Sequence, residues 1–445
     1  ASIGRDSFQE VDIVGITLPI TKHSFALRDV EEIAPAIRKA FQIAKSGRPG
    51  PVLIDVPKDL MNAKAKYVKA EPLPCIASPQ VSKEQIDELA RLINESERPV
   101  IYAGGGVNLA NASAELTKLA KKAQIPVGTT LMCLGCFSRK DPLSLGMIGM
   151  HGEKDANLAA HNSDLLINIG ARFSDRVTGD TTRFAKNAKI IHIDIDHSEI
   201  NKNIDADYVV IGDVKEILAA LIPKVQKADH KEWNAKVHAW KRAVSDSGHF
   251  DPAAILRTVH DMLGDDTIVV TDVGQHQMWT AQKWPFTKPR HLITSGGLGT
   301  MGFGLGAAIG SQIANPSAQV VLFTGDGSFR MNMNELLTVS GQDLPILVFV
   351  LKNNTLGMVR QWQKLFFKKR YSATDIPDNL NYELLAASTG LKGYHVSDAE
   401  TLKVTVTEAK ASGKGAVIAC EIYTDENVWP IVPPGDAIFN LVTNE

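Results

Sequence analysis

The chain has 445 residues, 44% hydrophobic and 22% charged, with a formal net charge of −2. At about one domain per 150 residues it is too long for a single core and predicts several domains. The charges are mixed in sign along the chain, which excludes a nucleic-acid tail or a basic membrane face, and no apolar run approaches the ~18 residues of a membrane span.

The chain opens on "ASIGRDSFQEVDIVGI" with no start methionine and no visible signal or transit peptide. A helix is predicted over "VEEIAPAIRKAFQIAKSG", and a strand over "GPVLIDVP" ending at Lys58. This is αβ material, too little to close a domain alone. Residues 67–80 read as a linker, poor in large apolar residues and broken by prolines. Ser82 and Gln85 have the spacing of a capping box and predict a helix start. Strands then alternate with helices: "PVIYAGGG", "SAELTKLAKKAQ", "IPVGTT", "DLLINIGARF", "KIIHIDID" and "ADYVVIGD". Strands this apolar are buried on both faces, so a parallel sheet covered by helices is expected. Cys133 and Cys136 form a lone C-x-x-C. Without a second pair or histidines at ligand spacing they read as free thiols in a reducing compartment, not as zinc ligands.

A charged segment, 223–250, reads as a helix and a second connection. From 251 to 445 a further open α/β sheet is predicted, with strands "TIVVTDVG", "HLITS", "QVVLFTGDG", "PILVFVLKN" and "AVIACEIY". The fold class is therefore α/β, with open parallel sheets covered by helices. Sites in such sheets lie at the carboxyl ends of strands. The segments 272–276, 295–301, 325–328 and 353–359 should share one edge.

Asp326 and Asn353 end successive apolar strands, one β-α-β crossover apart. A carboxylate, an amide oxygen and a loop carbonyl are hard oxygen ligands suited to an octahedral Mg²⁺. Gly325, Gly327 and Ser328 are small enough for backbone N–H groups to approach a phosphate. Gly-Asp-Gly alone could be an ordinary turn; the downstream Asn at this spacing favours a metal site. "GGLGTMGFG" contains G-x-G-x-x-G, a weak dinucleotide signal, and the acidic residue that fingerprint needs is already the metal candidate Asp326.

Gly325-Asp326-Gly327 with Asn353 resembles the diphosphate–magnesium signature of thiamine-diphosphate enzymes. "SFQEVDIVGIT", "SGRPGPVLIDVPKD", "IGMHG", "GARFSDRVTGD", "VGQHQMW", "TSGGLGTMGFGLGAAIG", "GDGSF" and "LGMVRQWQKLFF" are similar to one branch, the catalytic subunits of acetohydroxyacid synthases. The resemblance covers nearly the whole chain. It implies that residues 1–66 are the end of a pyrimidine-binding domain, 81–222 a central FAD-binding domain and 251–445 the domain holding diphosphate and Mg²⁺. Val273, Gly274, Gln275 and His276 then match the phosphate-contacting loop. Asp326, Asn353 and the carbonyl of Thr355 match the metal ligands. Gly299, Met301, Leu356, Gly357, Met358 and Val359 match the wall that holds the cofactor bent, although core packing is the usual fate of a methionine.

For the flavin the resemblance implies Arg48, Gly104, Gly105, Gly106, Thr130, Leu131, Ile148, Gly149, His151, Gly152, Gly170, Arg172, Asp194, Ile195, Gly212 and Asp213. The implied reaction joins pyruvate to a second 2-ketoacid, pyruvate or 2-ketobutyrate, with loss of CO₂. Trp362 matches a residue favouring 2-ketobutyrate, and Arg176 could pair with the second substrate's carboxylate. Phe8, Gln9, Lys58 and Met150 match channel residues near the substrate. A homo-oligomer with its active site between subunits is implied, together with a small regulatory subunit. The expected setting is the cytoplasm if the source is bacterial, an organelle being left open because the start of the domain is expected ahead of Ala1, and no nucleic acid or membrane partner is called for.

Two departures stand out. The family writes Asn-Asn-x-x-Leu-Gly-Met, where this chain has Lys352-Asn353-Asn354-Thr355-Leu356-Gly357-Met358. Counting back from Gly357 makes Asn353 the ligand and puts Lys352 in place of the first Asn. The family's cofactor-activating glutamate is also expected ahead of Ala1. A chain of these 445 residues alone is expected not to carboligate, and a longer one to be active. The alternatives are another thiamine-diphosphate carboligase or oxidase, or a non-catalytic cofactor-binding fragment.

Overall fold

The computed structural model describes residues 4–74, 76–241 and 250–443. The chain divides into two compact units. The first comprises Ala1–Val81 with Ile195–Ser198 and Ile211–Asp213, and the second holds the rest.

In the first unit β1 (His23–Ala26) and β2 (Val52–Asp55) form a two-stranded parallel sheet. The helix Ile33–Lys45 connects them, as its sequence predicts, and its Ala36 joins Leu27 and Leu60 in a small core. No helix or strand forms among the described residues between Asn62 and Lys83.

The second unit begins at the helix Lys83–Glu95, capped at Ser82 by the reciprocal bonds of a capping box with Gln85. Six parallel strands follow: β3 (Pro99–Ala103), β4 (Val127–Thr129), β5 (Ser144–Met147), β6 (Leu165–Ile169), β7 (Lys189–Asp194) and β8 (Tyr208–Ile211). Their order is β5-β4-β3-β6-β7-β8, so the winding reverses between β3 and β6. β5 escapes the sequence reading because Gly146 interrupts it at φ +79° and the pairing slips beside it, leaving no β-branched run. The helix Lys231–Ala239 occupies the expected connection, where Trp233 and Val237 are buried; residues 242–249 of that connection lie outside the described residues.

The second sheet is built from β9 (Ile268–Thr271), β10 (Leu292–Ile293), β11 (Val320–Gly325), β12 (Leu347–Lys352), β13 (Lys392–Val396) and β14 (Ala416–Glu421), in the order β10-β9-β11-β12-β14-β13. Alternate residues of its strands feed two cores, one on each face. Val321, Phe323, Leu347 and Phe349 serve one; Leu322, Val348 and Val350 serve the other. Phe323 and Phe349 stack with centroids 5.2 Å apart. β13 was not foreseen because "KGYHV" is a polar edge strand. The winding reverses between β9 and β11, which opens a crevice at their carboxyl ends.

Candidate active site

The registers Phe323↔Thr271 and Gly325↔Leu351 bring the ends of β9, β11 and β12 level. Loops leaving those ends line one cavity of about 90 Å³. Val273, Gly274, Gln275 and His276 enter it from β9; Gly325, Asp326, Gly327 and Ser328 from β11; Asn353, Thr355, Leu356, Gly357, Met358 and Val359 from β12. Met301 completes the wall, together with Trp279, which sequence reasoning did not name. Gly299 sits in the adjoining loop at φ +61°.

Gly274 adopts φ +153°, and a Cβ there would lie 2.8 Å from the His276 ring. It caps the helix Gln275–Lys283 without any side-chain hydrogen bond, so the first backbone N–H groups remain open to an anion. Burial pushes the His276 imidazole down to about 3, and its Nε2 is buried without a partner. A neutral ring with one unsatisfied nitrogen therefore faces the cavity wall.

Asp326 is 2% exposed. Its Oδ1 accepts from Gly327 N at 2.9 Å and its Oδ2 from Asn354 N at 2.6 Å. Burial pushes its carboxyl upward, against the pull of those N–H groups. No cationic side chain hydrogen-bonds it among the described residues. Arg330 lies near enough to act on it only through space; a buried carboxylate without a directly bonded cation is costly, and a divalent ion would complete it. Asn353 is 6% exposed and its Oδ1 accepts from Thr355 N at 3.2 Å, leaving a second lone pair. Among the described residues no group of three or more His, Cys, Asp or Glu could hold a metal. One carboxylate, one amide oxygen and a carbonyl make a donor set that fits Mg²⁺ rather than a softer ion. Asn354 does not line the cavity; it enters through its backbone, at φ +56°.

Asp272, at the end of β9, had no role assigned from sequence. Its Oδ1 accepts from Val273 N and Gly302 N, at 3.1 and 2.8 Å, and its Oδ2 from Thr324 Oγ1 at 3.3 Å. One buried carboxylate thus ties together the loop 273–276, the loop carrying Met301 and β11.

A second, larger cavity of about 520 Å³ adjoins the first through Met358 and Val359, which line both. Trp362, Gln363, Phe367 and Arg370 form the rest of it. Trp362 sits one turn beyond Met358 on the amphipathic helix Gly357–Phe366.

The residues matched to a flavin divide between the units. Arg48, Ile195, Gly212 and Asp213 belong to the first, where Arg48 Nη1 lies 3.2 Å from Asp196 Oδ2. Phe8, Gln9 and Lys58 belong there too; Phe8 is 92% exposed, and Lys58 opens the helix Lys58–Asn62. In the second unit Gly104 and Gly106 have a packing reason beside the expected approach to a pyrophosphate. Gly106 N donates to Gly170 O, and a Cβ on Gly106 would lie 2.7 Å from Gly170 Cα, so these glycines let the ends of β3 and β6 touch. Gly105 meets only Met132. Thr130 follows β4 and leads into Leu131; its Oγ1 is buried without a partner, as is His151 Nδ1. Orphaned polar atoms at two of the matched positions fit a polar ligand such as a flavin nucleotide. Asn157 holds the turn after Ile148: it bonds both Gly149 N and O, and also Ile438 O. Gly152 N closes the same turn on Gly149 O, and Met150 N bonds Arg176 O. Arg172 is exposed and Asp194 buried. Arg176 is exposed and paired with its neighbour Asp175 at 3.0 Å, not directed into either cavity. Cys133 and Cys136 are buried free thiols.

Residues 86–221 match the family model for the central domain of thiamine pyrophosphate enzymes, and residues 272–420 the model for their C-terminal TPP-binding domain. The chain is 43% identical to the acetolactate synthase isozyme 1 large subunit of Escherichia coli, over 99% of this chain and 79% of that protein. It is 44% identical to a probable acetolactate synthase large subunit of Methanocaldococcus jannaschii, over 99% of this chain and 78% of that one. The acetolactate synthase large subunit of Porphyra purpurea is 41% identical over 99% of this chain and 77% of its own length. The sheet-edge cavity and these identities agree, and the chain belongs to the acetolactate synthase large-subunit family of thiamine-diphosphate enzymes.

Proposed function

We propose that this chain carries out thiamine-diphosphate-dependent acetolactate synthesis, joining pyruvate to a second 2-ketoacid, pyruvate or 2-ketobutyrate, with loss of CO₂. The observation that carries this reading is the pair of adjoining cavities. One is small and set with oxygen donors and backbone N–H groups; the other is larger and apolar; Met358 and Val359 stand between them.

When bound, thiamine diphosphate supplies the electron sink for decarboxylation and carbon–carbon bond formation. The chain's own residues position and exclude water. Asp326, Asn353 and the carbonyl of Thr355 would hold Mg²⁺, and the loop 273–276 would hold the diphosphate. Met301 and Met358 would brace the organic part of the cofactor, and Trp362 would offer an apolar face to the ethyl group of 2-ketobutyrate. The orphaned Thr130 Oγ1 and His151 Nδ1 support FAD on the central domain. Residues 1–66, 81–222 and 251–445 act as the end of a pyrimidine-binding domain, the flavin domain and the diphosphate domain. A homo-oligomer with a small regulatory subunit, serving branched-chain amino-acid synthesis, completes the reading. No helix of the described residues is long and apolar enough to cross a membrane.

The test is a 2-ketoacid panel with thiamine diphosphate, Mg²⁺ and FAD supplied. Acetolactate from pyruvate, and acetohydroxybutyrate when 2-ketobutyrate is added, is the expected outcome. Tartronate semialdehyde from glyoxylate, or acetyl phosphate, with no acetolactate would overturn the reading in favour of another carboligase or an oxidase.

A further inference from the structure

A chain of three side-chain amides runs from the metal-ligand position to the C-terminal segment. Gln361, on the helix Gly357–Phe366, is 1% exposed. Its Oε1 accepts from Val428 N at 2.9 Å, and its Nε2 donates to Val428 O at 2.9 Å. A backbone N–H can only donate and a backbone carbonyl only accept, so Val428 fixes which end of the Gln361 amide is oxygen. Gln361 Oε1 also accepts from Gln275 Nε2 at 3.0 Å. Gln275 Nε2 donates a second bond, of 2.8 Å, to Glu426 O. That carbonyl demands a donor as well, so two independent backbone anchors give Gln275 the same orientation. Its Oε1 is thereby turned to Asn353 and accepts from Nδ2 at 3.4 Å. Asn353 Oδ1 must then point the other way, toward Thr355 N, in a side chain that lines the cavity.

We propose that Gln361 is a positioning residue for the metal site: it reads the backbone of Val428 and, through Gln275, holds the Asn353 amide with its oxygen rather than its nitrogen toward the ion. The inference rests on the magnesium reading given above. A reversed amide would present NH₂ to a divalent cation, and the relay holds the nitrogen end of Asn353 while Thr355 N holds its oxygen end, so the two together fix the amide as an oxygen ligand. It also couples ion affinity to the seating of residues 426–428. Gln361 touches neither cavity, and its effect passes entirely through Gln275.

The experiment compares wild type with Q361M and Q361E, each stripped of metal and titrated with Mg²⁺ at fixed excess thiamine diphosphate. Binding is read from quenching of the tryptophan fluorescence, Trp279 being in the cavity wall, and the melting temperature of each stripped protein is measured alongside. Methionine matches glutamine in length and removes every bond. Glutamate keeps the two accepted bonds, from Val428 N and Gln275 Nε2. The relay predicts that Q361M raises the Mg²⁺ half-saturation about 10-fold or more, the size of effect seen when a ligand's outer partner is lost, while Q361E stays closer to wild type. A packing role predicts the reverse order, because a buried site tolerates methionine better than glutamate. Q361M binding Mg²⁺ as wild type does, or Q361E binding it more weakly than Q361M, would overturn the proposal. If Q361M fails to fold, Q361A takes its place in the same ranking against Q361E. A wild type that binds thiamine diphosphate equally well without Mg²⁺ would instead overturn the magnesium reading on which the relay depends.

Discussion

Asn353 and Asn354 are chemically identical neighbours that the fold treats differently, and alanine at each should separate their roles. Asn353→Ala removes the amide oxygen facing the cavity, together with the bond to Gln275 and the bond accepted from Thr355 N. Loss of an outer partner alone costs about 10- to 100-fold in metal affinity. Loss of the ligand should therefore weaken Mg²⁺-dependent binding of thiamine diphosphate by ~100-fold or more, about 2.7 kcal/mol at 1.36 kcal/mol per tenfold. Asn354 contributes its backbone N–H to Asp326 Oδ2, which alanine keeps. What alanine loses there is tolerance of φ +56°. Left-handed backbone costs an ordinary residue about 1–2 kcal/mol, and asparagine bears it better. Asn354→Ala should thus lower stability by about 1 kcal/mol, Asn354→Gly should restore it, and neither should shift the Mg²⁺ midpoint more than about twofold. Magnesium titrations followed by tryptophan fluorescence, with denaturant melts of the apo proteins, measure both quantities. Equal loss of Mg²⁺ affinity in the two alanine variants would refute the assignment of Asn353 as the ligand.

Trp362→Leu should leave acetolactate formation from pyruvate in place while cutting the preference for 2-ketobutyrate by ~10-fold or more, the range available to an apolar pocket distinguishing one methylene; a mixed-substrate competition assay reads the ratio, and an unchanged ratio removes Trp362 from specificity. Gly135→Ala should be among the most damaging single changes: Gly135 sits in a buried turn at φ +87° and a Cβ there would collide with the Lys288 carbonyl, so strain and displacement together should cost about 3 kcal/mol or more in a denaturant melt. Asp155 gives a pH dependence. Burial, then the nearby Glu153, pushes its carboxyl up to about 6 from 3.8. A raised folded value means the protonated form is favoured in the native state, so this contribution is fully present below pH 4 and is lost as pH rises through 6. The whole effect is about 3 kcal/mol at 1.36 kcal/mol per unit. Asp155→Asn should abolish that slope and raise stability at pH 7, as thermal melts between pH 4 and 7 would record.

The sequence makes β9, β11 and β12 easy to find because each is buried on both faces and reads as a continuous apolar run. Once they are parallel neighbours, the edge that gathers 273–276, 325–328 and 353–359 follows from topology. β1 and β13 carry polar residues at sheet margins, and β5 is broken by glycine, so none has that pattern. Gln361 was equally hidden. A glutamine on an amphipathic helix reads as solvent-facing, and only the return of the chain at Val428 buries it. Asp272 reads as the end of a strand, on the shared edge, but nothing local reveals that Gly302 and Thr324 will converge on its carboxylate. The glycines at 104 and 106 were visible, but their packing role was not, because the partner that crowds them, Gly170, arrives from a strand far along the chain.

The run Lys352-Asn353-Asn354 can now be assigned position by position. Lys352 is the last residue of β12 and faces Glu421 across the register with β14. Its side chain is only 9% exposed, with Nζ 2.9 Å from Asp378 and 3.6 Å from Glu421. A buried ammonium must be paired, and two carboxylates at the sheet margin satisfy it away from the cavity. One residue later the strand has ended, and the next side chain is free to turn into the crevice, which is where Asn353 meets Gln275. The following residue must reverse the chain so that Thr355 can bond back to Asn353, and a left-handed asparagine makes that reversal while its N–H holds Asp326. An asparagine at position 352 would leave the Asp378 and Glu421 carboxylates without their buried cation and would add no ligand to the cavity. The lysine therefore belongs to the sheet, and the departure from the family's Asn-Asn spelling leaves the proposed donor set of Asp326, Asn353 and Thr355 intact.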